Sequence, residues 1–171
     1  MSDPDQLSDD HKAIDAIFDD VFAALDSGDR TKVFENLDRV WARLAVHIRA
    51  EHLHLFPALI IKTGSYVLIE EVIAGLREDH NFFMAELASL VKQWRFTGNP
   101  IKEATRPGLL SETKERFDLL RKRLISHNEI EETQVYSLVD AYLSEADRSD
   151  LFANVRRELT NMPRRFRVLP E

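Results

Sequence analysis

Residues 40–56 read VWARLAVHIRAEHLHLF, and the placing of apolar and polar side chains in this stretch decides the fold. Val40, Leu44, His47, Glu51 and Leu55 follow one another at steps of three and four, the spacing that lines side chains along one face of an α-helix. Val33 and Leu37 extend the same stripe upstream. A histidine and a glutamate thus occupy positions where a core residue is expected.

Three further stripes share this period. Leu7, His11, Ile14, Phe18, Val21 and Leu25 predict a first helix, entered at Ser8 and closed near Ser27-Gly28-Asp29. The second helix is expected to kink or end early at Pro57, before Thr63-Gly64-Ser65. Ile73, Leu76, His80, Phe83, Leu87, Leu90 and Trp94 form the third, closing at Thr97-Gly98-Asn99-Pro100. The fourth, entered at Ser111 after a long loop over 96–110, carries Phe117, Leu120, Leu124, His127, Glu131, Val135 and Leu138. Leu151, Phe152, Val155 and Leu159 suggest a short fifth helix over 147–160, with an irregular tail after Met162. The expected architecture is all-α: an up-down-up-down four-helix bundle with a short C-terminal helix. We read residues 1–171 as a single domain, with its bundle core at about 8–143 and the short helix and tail at 147–171.

Composition narrows the chemistry. A chain of 171 residues with 44% apolar content is large enough to bury a real core. The absence of cysteine excludes disulfides, thiolate metal ligation and a cysteine nucleophile, so nitrogen and oxygen must hold any metal. A formal charge of −7 argues against broad nucleic-acid binding. The acidic, polar start and the lack of an 18-residue apolar run lead us to expect no membrane association and a cytoplasmic protein. Arg156, Arg157, Arg164, Arg165 and Arg167 make the tail basic, which we read as a solvated surface.

Four histidines and two glutamates lie on the apolar stripes. A buried glutamate without a partner carries a penalty of several kcal/mol, so this set requires compensation. Counting from the turns shows how the groups can meet. His11 lies 14 residues before Leu25 and His47 lies 16 after Thr31, which places both roughly 21–24 Å from the first turn. The intervals from His80 to Trp94 and from Ser111 to His127 repeat those values. The chain also repeats itself: Asp10-His11 matches Asp79-His80, and His47 to Phe56 matches His127 to Tyr136. Two similar half-sets suit a binuclear site. His and Glu four residues apart can grip one cation, and two bridging carboxylates would leave open positions on both metals; such ligands suit iron, with manganese or zinc possible.

These residues resemble the hemerythrin-like (HHE cation-binding) family, whose pattern is His, His-x3-Glu, His, His-x3-Glu on four successive helices. Here the pattern is His11, His47-Ile48-Arg49-Ala50-Glu51, His80 and His127-Asn128-Glu129-Ile130-Glu131. The resemblance implies a metal site of His11, His47, Glu51, His80, His127 and Glu131. It implies two iron ions joined by an oxo or hydroxo bridge, with Glu51 and Glu131 as bridging carboxylates. One iron would belong to His11 and His47 and the other to His80 and His127.

Two departures refine that expectation. Oxygen-carrying hemerythrins have a second histidine one turn on in helix three, where this chain has Met84, and they end on His-x4-Asp rather than His-x3-Glu. The chain is more similar to bacterial HHE proteins and to the iron-sensing domain of a eukaryotic F-box protein. The resemblance implies a protein that binds or senses dioxygen, nitric oxide or iron. A di-iron enzyme of peroxide or nitric oxide turnover, or of iron donation for cluster repair, is the alternative. His54 makes a Glu-x2-His with Glu51, but the second copy that a ferritin-like site needs is missing. We expect His52 to face solvent, and Phe56 and Tyr136 to pack in the bundle, with bordering of the ligand pocket as the alternative for either.

Overall fold

The computed structural model describes residues 5–64, 66–95 and 108–166. Among them all regular structure is helical. The first helix, α1, covers Asp5–Ser27, and α2 covers Arg30–Ala50. A single π-helical turn, Glu51–Leu55, follows without a break and leads into α3, Phe56–Lys62. The helix α4 covers Val67–Arg95 and α5 covers Leu109–Ile130. A second π turn, Glu131–Val135, leads into α6, Tyr136–Tyr142. Last come α7, Glu145–Leu159, and a 3-10 turn, Arg164–Phe166.

The chain reverses between α1 and α2 in two residues. Gly28 takes φ 71°, a conformation that costs glycine little. Its N–H and that of Asp29 donate to the carbonyls of Leu25 and Ala24, satisfying the end of α1. Asp29 then caps α2 by accepting from the Lys32 N–H at 3.1 Å. Helix α1 packs on α2 and α5, and α4 packs on the same two, so these four close a ring. Helix α7 lies across α2 and the first π turn, burying Leu151, Phe152, Val155 and Leu159 as their spacing predicts.

Two apolar layers fill the ring. One gathers Phe18, Phe83, Trp94 and Phe117 near the α1–α2 turn; Phe18 and Phe117 stack at 4.4 Å. The other gathers Leu55, Phe56, Leu59, Ile73, Val139 and Phe152 at the opposite end. The polar residues singled out above lie between the layers. The helix Arg30–Lys62 is by length and composition apolar enough to cross a membrane. Half of that apolar window is buried against the rest of the chain, as a core helix requires.

Several local expectations change. Helix α1 already runs through Ser8, so that serine is not its cap. Ser111 sits inside the first turn of α5, whose cap is Gly108 at φ 92°, and donates to the Gly108 carbonyl. Pro57 does not end the second helix, because it falls in the first turn of α3, where its missing N–H breaks no intrahelical bond. Leu138 is only half-buried and Val139 points inward instead, for a reason given below. In the described part of the tail after Met162, Arg164–Phe166 form a 3-10 turn held by Arg165, which donates to Asp38 on α2 at 2.9 Å. The third helix's expected close at 97–100, most of the 96–110 loop, and Arg167 lie outside the described residues.

Candidate metal centre

The two π turns begin at the two glutamates. Phe56 donates its N–H to the Glu51 carbonyl, and Tyr136 donates to that of Glu131. These are i→i+5 bonds, and each places one extra residue in its turn. The inward stripe therefore steps from Glu51 to Phe56 and Leu59, and from Glu131 to Tyr136 and Val139, all buried. This displaces Leu138, and it leaves His54 short of the inward face. Ser137 stands where the first half has Pro57, so the proline is not what opens the turn.

All six sequence-derived residues converge. His11, His47, His80 and His127 are at most 4% exposed, and Glu51 and Glu131 are fully buried. The imidazoles pair by their Nε2 atoms, His11 with His47 at 3.1 Å and His80 with His127 at 2.9 Å. Each glutamate spans both pairs. Glu131 Oε2 lies 3.3 Å from His11 and its Oε1 lies 3.0 Å from His127; Glu51 Oε1 lies 3.6 Å from His47 and its Oε2 lies 3.4 Å from His80. His11, His47 and Glu131 form one candidate ligand group, and His80, His127 and Glu131 another.

A second ring of side chains aims the first. Asp10 Oδ2 accepts from His47 Nδ1 at 2.9 Å, and Asp79 Oδ2 accepts from His127 Nδ1 at 3.1 Å. Arg43 pairs with Asp10, and Arg123 pairs with Asp79 at 2.6 Å. Glu132 accepts from His11 Nδ1 at 2.9 Å, while His52 Nε2 meets His80 Nδ1 at the same distance. His52 is therefore a partner of His80 and not a solvent-facing residue. The signals for this ring lay in the internal repeat: an aspartate before each lone histidine, and an arginine four residues before each His-x3-Glu. Tyr136 is buried and borders the centre, the alternative expected for it: its hydroxyl donates to Glu51 Oε1 at 3.0 Å and lies 3.3 Å from His11 Nε2. Phe56, its counterpart, stacks on His80 with 6.0 Å between ring centroids.

This donor set fits a cation. Carboxylates only accept, so the Nδ1 atoms of His11, His47 and His127 carry hydrogens and their Nε2 atoms face the centre. Lone pairs facing each other at 3.1 Å repel unless a proton or a metal lies between them. Glu51 Oε2 and both Glu131 oxygens are buried without a well-directed hydrogen bond, although imidazole nitrogens lie close by. Nitrogen and oxygen atoms gathered in this way could hold a metal ion.

Protonation follows the same logic. Burial, with His11 beside it, pulls His47 down to about 3, and burial pulls His80 down to about 4. Burial would lower His11 as well, but Glu131 and Glu132 outweigh it and raise this group. Burial and the neighbouring Glu131 lift Glu51 well above the usual carboxylate range. Burial pushes Glu131 in the same direction, but His11, His127 and His80 overcome it and hold Glu131 well below that range. Burial and the two glutamates raise the Tyr136 phenol. His11 and Glu51 thus each hold a proton to higher pH than usual, as expected of a centre with excess negative charge.

A family model described as the hemerythrin HHE cation binding domain matches residues 3–139. The chain belongs to the hemerythrin HHE family. That span takes in all six converging residues and both π turns, so the family's cation-binding segment coincides with the buried His and Glu cluster. Comparison with curated proteins and with solved structures finds no match. The HHE domain and the cluster together indicate a metal-binding protein.

Proposed function

We propose that the protein binds two iron ions, one between His11 and His47 and one between His80 and His127, with Glu51 and Glu131 bridging them. The ring of α1, α2, α4 and α5 would be an up-down-up-down four-helix bundle built as one domain around this centre. The observation that carries the reading is that each glutamate offers one oxygen to each histidine pair. A carboxylate serving a single ion has no need of that arrangement. Four nitrogens and four carboxylate oxygens shared by two six-coordinate ions leave room for a small exogenous ligand. When bound, the iron pair would supply redox-active Lewis acidity at a dry site.

The chain's own residues set the terms of that chemistry. Asp10 and Asp79 fix the tautomers of His47 and His127, the apolar layers keep bulk water out, and Tyr136 presents a hydrogen-bond donor beside Glu51. The proposed role is to bind or sense dioxygen, nitric oxide or iron itself, in the cytoplasm. Anaerobic loading with ferrous iron, a metal count, and optical spectra on adding dioxygen or nitric oxide test this. Two ions per chain with a reversible spectral change would support it. Sustained consumption of peroxide or nitric oxide would replace it with the enzymatic reading, and less than one ion per chain would overturn it.

A further inference from the structure

The repeat that builds the centre fails at two positions that touch it: Glu132 against His52 in the outer ring, and one facing the Nε2 atoms themselves. His11 corresponds to His80, His47 to His127, Glu51 to Glu131, Asp10 to Asp79 and Arg43 to Arg123, whereas Tyr136 corresponds to Phe56. The first residue after each π turn is swung inward by the added residue, so both rings border the centre and only one carries an oxygen.

That oxygen stands at ligand spacing. Nitrogen and oxygen atoms bound to one divalent ion at ~2.1 Å and at right angles lie about 3.0 Å apart. Tyr136 Oη is 3.0 Å from Glu51 Oε1 and 3.3 Å from His11 Nε2. The distances His11–His47 (3.1 Å), His11–Glu131 (3.3 Å) and His47–Glu51 (3.6 Å) are similar. Five donor atoms therefore surround the first half of the centre. The second half has four: His80, His127, Glu51 Oε2 and Glu131 Oε1.

We infer that the phenol oxygen of Tyr136 is a fifth protein ligand to the metal held by His11 and His47, which makes the two metal positions chemically unequal. The inference rests on the proposed binuclear site. Binding would exchange the phenol O–H for an O–metal bond, with the proton passing to solvent. The His80 and His127 position, walled by the Phe56 ring, would then keep more of its coordination free for an exogenous ligand.

Ferric phenolates have a visible charge-transfer band and characteristic resonance Raman ring modes, so the test is spectroscopic. The other two tyrosines, Tyr66 and Tyr142, are exposed on the surface, so any iron-phenolate signal reports on Tyr136. The oxidised, iron-loaded protein should show these modes, and they should shift in protein grown on ring-deuterated tyrosine. They should vanish in Tyr136→Phe, while two ions per chain are retained. Two bound ions without phenolate modes, or modes that persist in Tyr136→Phe, would overturn the inference and leave the binuclear reading standing. Wild-type protein that takes up no iron overturns both. Should Tyr136→Phe fail to fold, the isotope shift in the wild type decides alone.

Discussion

Asp10 is almost wholly buried and holds His47 Nδ1 at 2.9 Å, so a carboxylate on the first helix sets which nitrogen of a second-helix histidine faces the centre. Removing the Asp10 charge while keeping its shape tests the value of that hold. Outer partners of this kind typically contribute 10–100-fold to metal affinity. Asp10→Asn is expected to weaken binding by about that factor. Asp79→Asn should cost less, because the Asp79 side chain is 21% exposed and water can replace it. A competition titration against a chelator reads both, and equal affinities for wild type and Asp10→Asn would refute the expectation.

Glu51 offers a prediction with opposite signs for its two states. Its carboxyl, raised by burial and by Glu131, keeps a proton that the unfolded chain releases above about 4.5. The stability it contributes to the metal-free protein is therefore lost as pH rises from there toward the folded value. Glu51→Gln mimics the protonated acid and escapes that loss. Metal-free Glu51→Gln is expected to gain stability relative to wild type as pH rises above about 4.5, while binding less metal. Urea titrations across that range check it, and a variant uniformly less stable than wild type would contradict it.

The acid limb follows from His47 and His80. Both fold with values near 3 and 4, below the ordinary ~6.5. Between those limits the unfolded chain binds protons that the folded chain refuses. Their contribution is complete above about 6.5 and falls as pH drops through this window. His11 is shifted the other way, so its contribution grows as pH falls toward 6.5 and is constant below that. The denaturation midpoint of the metal-free protein should drop between pH 6.5 and 5, above the range where surface carboxylates titrate. A flat profile there would show that these histidines are not buried in neutral form.

The π turns sort the two extra histidines. His52 meets His80 Nδ1, whereas His54 is only half-buried and meets none of the six. Metal affinity should rank wild type and His54→Ala together, His52→Ala below them, and Glu131→Ala lowest with loss of at least one ion. Metal counts after gel filtration distinguish them. If His54→Ala and Glu131→Ala lost metal equally, the wider turn would not be excluding His54.

Phe117 separates stability from binding. It is fully buried and stacked on Phe18 at 4.4 Å in the layer near the α1–α2 turn. Phe117→Ala should cost about 3–5 kcal/mol while leaving the metal count of the folded protein unchanged. A loss of metal at a temperature where the variant is fully folded would mean that the two layers are more tightly coupled than their separation suggests.

The six converging residues were legible because helical periodicity is a local property. Steps of three and four place His47, Glu51, His127 and Glu131 on inward stripes whatever surrounds them, and counts from the turns bring His11 level with His47 and His80 level with His127, while leaving about 6 Å between the second and third helices unaccounted for. The missing cysteines settled the donor types in the same way. What local spacing could not show was the change of period at Glu51 and Glu131. A π turn is marginal on its own and persists where packing and buried contacts hold it, so Leu138 was placed inward when Val139 is, and spacing left open whether Tyr136 only packs or borders the centre, as its contact with Glu51 decides. The outer ring belongs to the same class. The pairs Asp10 with His47, Glu132 with His11 and His52 with His80 join different helices, and only the rotation of each helix against its neighbours selects them. The sequence by itself determined which side chains face the centre; the tertiary structure decided how they are aimed, because aim depends on contacts between helices that no single stripe contains.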